Sequence, residues 1–289
     1  MIAGRLPEKG AESSMADSTL GKILVIIPTY NEIENVDMIT ARVRRAVPQA
    51  DILITDDNSP DGTGRRADEL AAADNHIRVL HRKSKEGLSA AYLAGFRWGL
   101  DRDYDVLVEF DADGSHQPEQ LPRLIAALER ADMVKGSRWV KGGSVVNWAK
   151  SREVLSRCGS LYTRLMLGLP VKDVTGGLNL FRRATLESII DDVDAGGYGI
   201  QRDLTWAAHR KGFRIVEEPI EFVERVKGQS KLGRDVFVEA LQKTTQMGLK
   251  HRGGQAAHAA TEGGRLAVAV MRTSFRTVKD VTRGGHEAL

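Results

Sequence analysis

The sequence predicts an α/β fold, a single domain built on a mainly parallel sheet with helices on both faces. Three observations carry this. Short apolar, β-branched runs alternate with segments of helical periodicity from Lys22 to Gly136, the pattern of repeated βα units. The runs are near-continuous rather than alternating, as in Lys22-Ile23-Leu24-Val25-Ile26-Ile27, which is how strands covered on both faces read. Each strand of this half ends in acids or a tight turn, where an open α/β sheet keeps its ligand crevice.

Met1 to Leu20 lacks periodicity and reads as a mobile tail. After the first strand, Ile33, Val36, Ile39, Val43 and Val47 recur at spacings of three and four, giving one apolar helical face that Pro48 closes. Asp51 to Thr55 is a second strand, ending in the acidic, turn-rich loop Asp56-Asp57-Asn58-Ser59-Pro60-Asp61-Gly62-Thr63, and Arg65 to Ala73 is helix-forming. Ile77 to His81 is the third strand and Ser89 to Leu100 the third helix. Asp105 to Phe110 is the fourth strand, Pro118 to Arg130 a helix with Leu121, Leu124, Ile125 and Leu128 on one face, and Asp132 to Gly136 the fifth strand. Beyond Gly136 the alternation loosens. An amphipathic segment spans Val154 to Leu169, Leu178 to Phe181 reads as a strand and Arg202 to Lys211 as a helix. Phe213 to Val226 reads as one or two strands, and Val236 to Leu249 as a closing helix of the same domain. The domain boundaries expected are 1–20, 21–252 and 253–289.

With 289 residues, 42% of them hydrophobic and 28% charged, the chain can bury a core without staples. The lone Cys158 excludes an internal disulfide framework and fits a reducing compartment. No apolar run approaches the roughly 20 residues that span a bilayer. The first residues carry Glu8, Glu12 and Asp17 and no apolar signal stretch, so an intracellular location is expected. A net charge of +3 argues against nucleic acid as the main target. The basic, Gly/Ala-rich segment 253–289 is compatible with an anionic membrane surface: Arg265, Arg272, Arg276, Lys279 and Arg283 surround Leu266, Val268, Val270, Met271, Phe275 and Val278.

The chemistry centres on Val106-Leu107-Val108-Glu109-Phe110-Asp111-Ala112-Asp113. A strand ends here in two carboxylates one residue apart. Carboxylate oxygens suit a hard divalent ion, Mg²⁺ or Mn²⁺, which in turn bridges phosphate oxygens. The competing reading is a polar turn with a capping aspartate.

The motifs Pro28-Thr29-Tyr30-Asn31-Glu32, Asp56 to Thr63, Asp111-Ala112-Asp113, Gly136-Ser137-Arg138 and Arg225-Val226-Lys227-Gly228-Gln229-Ser230-Lys231-Leu232 stand in one order. In that order and spacing the chain resembles the polyprenol (dolichol) phosphate mannose synthases, GT-A glycosyltransferases of family 2, over about Lys22 to Lys250. The resemblance implies GDP-mannose as donor, a polyprenyl monophosphate as acceptor and inverting transfer on the cytoplasmic face of a membrane, where the protein is peripheral or held by an anchoring partner protein. It implies that Pro28, Tyr30 and Glu32 flank the nucleobase and ribose, with Asp56 or Asp57 on the base or sugar edge. Asp111 and Asp113, with Ala112 between them and Gln117 assisting, would hold the metal on the diphosphate. Arg138, Arg225 and Lys231 would neutralise phosphate, with Arg138 counted in the catalytic set alongside Asp111 and Asp113. Arg152 and Ser156, one helical turn apart, would grip the acceptor phosphate. Val154, Leu155, Leu161, Leu165, Met166 and Leu169 could line a prenyl route or simply be core. Asp203 is the candidate base if the acceptor is a neutral hydroxyl. Transfer of another hexose to the same lipid, or nucleotide-sugar binding without turnover, are the alternatives.

Overall fold

The computed structural model describes residues 20–193, 199–225 and 240–250. An interior strand of its sheet is β1 (Ile23–Thr29), in which Ile23 to Ile27 are all buried. Each such side chain taken fully out of water stabilises the fold by about 1.5–3 kcal/mol, so a run of five can only lie in the middle of a sheet. Alternate residues serve opposite layers. Ile23, Val25 and Ile27 pack with Val36, Ile39 and Val43 of α1 (Val36–Ala46) and with Leu121, Leu124 and Ile125 of α4 (Leu121–Ala127). Leu24 and Ile26 pack with Tyr92, Leu93 and Phe96 of α3 (Leu88–Leu100).

The remaining strands are β2 (Asp51–Asp56), β3 (Ile77–His81), β4 (Val106–Glu109), β5 (Met133–Ser137), β6 (Ser144–Val146), β7 (Asn179–Arg182), β8 (Ile215–Pro219) and β9 (Glu221–Val223). Seven of the nine form one sheet in the order β3-β2-β1-β4-β7-β5-β8, and β6 pairs with β9 in a second, two-stranded sheet. Only β7 runs against its neighbours in the large sheet, antiparallel to β4 and β5. The chain winds outward from β1 through β2 and β3, then returns to place β4 on the other side of β1. The crevice of such a sheet opens at that reversal, beyond the carboxyl ends of β1 and β4.

The other helices are α2 (Thr63–Ala73), α5 (Lys150–Leu167), α6 (Arg183–Ile189), α7 (Ile200–Arg210) and α8, residues 240–250. Sequence and structure differ in three places. The first helix starts at Val36 rather than Ile33, because the Glu32 carbonyl accepts the Asn35 and Val36 amides and Asn31 takes a left-handed φ of 58°. The helix expected over 118–130 is α4 flanked by single 3₁₀ turns. Strands β8 and β9 are the two strands expected over 213–226, whereas β6 and helix α6 have no counterpart in the sequence reading.

The chain divides into two units, Met1–Arg157 with Val171–Gln229, and Cys158–Pro170 with Ser230–Leu289. The first holds both sheets and every strand among the described residues. In the second, the Tyr162 and Thr245 hydroxyls bond at 2.6 Å, and a Cβ on Gly248 would lie 2.8 Å from the Met166 carbonyl, so the glycine permits close approach. Along α5, Val154 (59%), Leu155 (49%), Leu161 (50%) and Leu165 (66%) are exposed rather than core. Leu169 is buried. No described helix is long and apolar enough to cross a membrane. The tail 253–289, with its basic and apolar residues, and most of 1–20 lie outside the described residues.

Candidate active site

Asp111 lies two residues beyond the end of β4, and three elements converge on it. Tyr92 donates its hydroxyl to Asp111 Oδ1 at 2.8 Å. The tyrosine is delivered by α3, which comes close to β1 at Gly95, where a Cβ would fall 2.6 Å from Ile26 Cγ2. On the other oxygen, His116 Nε2 stands 3.6 Å from Oδ2, beyond hydrogen-bond distance. The third element is the loop before β7. A Cβ on Gly177 would lie 3.1 Å from Asp111 Oδ2 and 3.4 Å from His116 Nε2, so a side chain there would crowd this carboxylate and imidazole. Burial alone would raise the Asp111 carboxyl, but His116, Tyr92 and Arg225 outweigh it and hold the group below its ordinary value.

His116 is 1% exposed, and neither ring nitrogen has a hydrogen-bond partner. It is held by shape, 5.8 Å from Phe110 and edge-on to Phe222 at 5.0 Å between ring centres. Asp113 accepts the Ser115 amide on Oδ1 at 3.0 Å. Its Oδ2 faces the guanidinium of Arg225 at 3.1 Å.

Behind the carboxylates lies a buried polar chain across three strands. Glu109 accepts from the Asn179 amide, whose oxygen accepts Lys135 Nζ at 2.6 Å, and Lys135 also donates to Thr205 Oγ1 at 3.1 Å. Burial pushes the Glu109 carboxyl up to about 8 and the Lys135 ammonium down to about 8. The chain ties β4, β7 and β5 together under the site.

The loops after β1 and β2 are laced to each other. Asp61 accepts the Ile33 and Thr63 amides, Thr63 Oγ1 accepts the Glu32 amide, and Ser59 Oγ accepts the Asn31 amide. Glu32 takes Asn35 Nδ2 at 2.7 Å. Tyr30 lies under Lys85, whose Nζ is 4.0 Å from the ring centre, and Pro28 is half-buried at the end of β1. Both Asp56 oxygens are occupied, by Thr29 Oγ1, Ser59 Oγ and the Ser59 amide. The residue therefore shapes the loop rather than presenting a free carboxylate to a base or sugar. Asp57 pairs with Arg82, while burial keeps its carboxyl above the usual range.

Several of the expected site residues already have partners within the fold. Arg138 is 6% exposed and spends itself on Asp173, with its amide, Nε and Nη2 donating at 3.0, 2.7 and 2.7 Å, and on Thr175 at 3.1 Å. It is an internal ion pair, not a phosphate cation. Gln117 turns its acceptor to Arg42 Nη2 at 2.7 Å and its amide nitrogen to the Gly114 and Ser115 carbonyls. Ala112 is 4% exposed and packs in the core, so its side chain does not line the crevice. Arg152 pairs with Glu224 and stacks 4.1 Å from the Trp148 ring; Ser156 lies half-buried on the same helix. Asp203, 6% exposed, accepts Arg202 Nε at 2.8 Å, an ion pair rather than an open base. Lys231 lies outside the described residues.

The donor set fits a hard divalent ion of the Mg²⁺ or Mn²⁺ kind. Asp113 already carries a cation in the form of a guanidinium, which stands for the positive charge such an ion would bring. The described residues contain no cluster of three or more His, Cys, Asp and Glu able to hold a metal ion. Two carboxylates completed by substrate phosphates and water is the usual way Mg²⁺ is bound.

Residues 24–190 match the family model of glycosyl transferase family 2. The chain belongs to that family. It is 55% identical over 232 residues, 80% of this chain and 96% of the relative, to the undecaprenyl-phosphate mannosyltransferase of Micrococcus luteus. It is 53% identical over 254 residues, 87% of this chain and 96% of the relative, to the polyprenol monophosphomannose synthase of Mycolicibacterium smegmatis. Among solved structures, the glucosyl-3-phosphoglycerate synthase of Mycobacterium tuberculosis, in complex with Mn²⁺, UDP-glucose and phosphoglyceric acid, is similar at a TM-score of 0.57 and 20% identity, covering 78% of this chain and 80% of that one. A mannosyltransferase of Pyrobaculum calidifontis in complex with GDP-Man and Mn²⁺ is similar at 0.53 and 16%, covering 86% and 80%. This family 2 chain thus has the GT-A fold.

Two site residues of this glycosyltransferase escaped sequence reasoning. Tyr92 reads as one more core aromatic on a helix, and His116 as a lone histidine. The signal available was the position of His116 in the DxD loop, three residues past the second carboxylate.

Proposed function

We propose that this glycosyltransferase moves mannose from GDP-mannose to a polyprenyl monophosphate, giving polyprenyl phosphate mannose and GDP with inversion. The observation that carries the reading is similarity above 50% to two proteins named for mannosyl transfer to such lipids, over 96% of each relative. Residues 21–252 form the catalytic domain in this reading.

The chemistry follows from the acceptor. A phosphomonoester has a second pKa near 6, so the nucleophile arrives largely ionised and no strong base is needed, in keeping with Asp203 being paired to Arg202. Asp111 and Asp113 would hold a divalent ion, which when bound would supply Lewis-acid stabilisation to the departing diphosphate. Tyr92 and His116 fix the orientation of the Asp111 carboxylate, and Arg225 brings positive charge beside it. Tyr30 and Lys85 offer a stacked ring and cation at the end of β1. No second nucleophile stands ready for a covalent intermediate among these residues, so one in-line displacement inverts the anomeric centre. Arg152 and Ser156 meet the acceptor phosphate, and the exposed apolar residues of α5 with the basic tail 253–289 hold the protein peripherally on the cytoplasmic face.

The test is lipid-linked radiolabel formed from GDP-mannose, GDP-glucose and UDP-glucose in parallel. Label from GDP-mannose alone supports the reading. A preference for either glucose donor refutes the sugar assignment, and nucleotide binding without lipid product refutes catalysis.

A further inference from the structure

Asp113 holds a cation, and that cation is a side chain. Arg225 Nη2 lies 3.1 Å from Asp113 Oδ2, with 23% of the arginine and 12% of the aspartate side chain exposed. The contact is built by the backbone. Phe222 of β9 bridges to His116, and the Val223 amide donates to the Ser115 carbonyl at 3.0 Å. The strand is therefore fastened to the DxD loop two residues before Arg225 and two residues after Asp113. The next residue, Glu224, is tied elsewhere, its amide to the Val146 carbonyl at 2.9 Å and its carboxylate to Arg152. That leaves Arg225 directed at Asp113.

A hard divalent ion needs the same carboxylate oxygen, and a guanidinium and a dication a few ångströms apart repel. We infer that Arg225 is the resident counter-ion of Asp113, which a divalent cation must displace, so that metal loading and release of Arg225 toward the donor diphosphate are one event. This rests on the metal role assigned to Asp113 above. The arginine weakens metal binding in the nucleotide-free protein. A diphosphate that draws the guanidinium away strengthens it, beyond what its own oxygens contribute as ligands. By linkage, metal and nucleotide then favour each other through a single side chain.

The test is Mn²⁺ titration followed by electron paramagnetic resonance on the full chain, with and without GDP, for the wild type, Arg225→Gln and Asp113→Asn. Removing a partly buried competitor should tighten Mn²⁺ binding to the nucleotide-free Arg225→Gln protein by about 3- to 10-fold and reduce the enhancement that GDP gives. Equal or weaker Mn²⁺ binding in Arg225→Gln, with Asp113→Asn still impaired, overturns the counter-ion role and leaves the metal assignment standing. Mn²⁺ binding that Asp113→Asn does not alter, or no binding by the wild type even with GDP, overturns the metal assignment and this inference with it. A second measurement follows the side chain itself: Mg²⁺ added to ¹⁵N-arginine-labelled wild type should shift one guanidinium Nε–H resonance, assigned by its absence from the spectrum of the conservative variant Arg225→Lys. A resonance unmoved at saturating Mg²⁺ also overturns the inference.

Discussion

Replacing Arg138 with alanine separates a structural cation from a substrate-binding one. The Arg138 and Asp173 side chains are 7% and 0% exposed, and the guanidinium supplies two of the three donors that Arg138 gives the carboxylate. Without it, Asp173 Oδ1 loses its Arg138 donor and Oδ2 keeps only the Arg138 amide, inside a core where an unpaired charge is expensive. Breaking a buried pair from one side costs about 3–5 kcal/mol. At about 2–4 °C per kcal/mol for a protein of this size, the melting temperature should fall by about 6–20 °C. Urea unfolding and calorimetry measure this directly. The pair Arg138→Met with Asp173→Leu removes both charges and should recover most of the loss. Arg138→Ala with unchanged stability and abolished turnover would refute the argument and return Arg138 to the phosphate-binding set.

The acid side of the stability curve tests the same pair. Burial would raise the Asp173 carboxyl, but Arg138 holds it below 3.8, so its stabilisation is complete above that value and is lost as pH falls through the lower, folded one. Asp173→Asn should lack this acid-side loss in a pH series of melts. Gly177→Ala places a methyl 3.1 Å from Asp111 Oδ2; it should lower kcat about 10-fold or more through displaced carboxylate geometry, with the melting temperature little changed, and unaltered kcat would count against Asp111 as a positioned ligand. Arg152→Ala breaks a pair 31% exposed on each side, so it should cost under about 1 kcal/mol. Both it and Ser156→Ala should raise KM for polyprenyl phosphate more than for GDP-mannose, and equal effects on the two substrates would speak against an acceptor site there.

The sheet was legible because period and burial are written in single segments: Ile23 to Ile27 can hardly be anything but an interior strand. Strand direction is not written there. Leu178 to Phe181 reads the same whichever way it runs, and β7 is antiparallel only because its partners β4 and β5 are set by distant chain. At the site, sequence located the residues that carry charge but not what each is spent on. Asp113 and Arg225 are brought together across more than a hundred residues by the bridge between His116 and Phe222. Arg138 and Gln117 carry the right chemistry in the right motifs, yet the fold pairs them with Asp173 and Arg42. No local pattern announces those partners. Tyr92 and His116 are hidden for the opposite reason, since a buried ring looks like packing until its hydroxyl or nitrogen is found facing a carboxylate.

The most direct test of the central claim is the fate of the anomeric carbon. The purified full chain is incubated with GDP-mannose labelled with ¹³C at C1 and a short polyprenyl phosphate, and the product is followed by NMR with and without a chelator. The account predicts a β-mannosyl phosphate on the lipid, formed mole for mole with GDP and abolished by chelation. An α-linked product, or GDP released while the lipid phosphate remains unglycosylated, would contradict it.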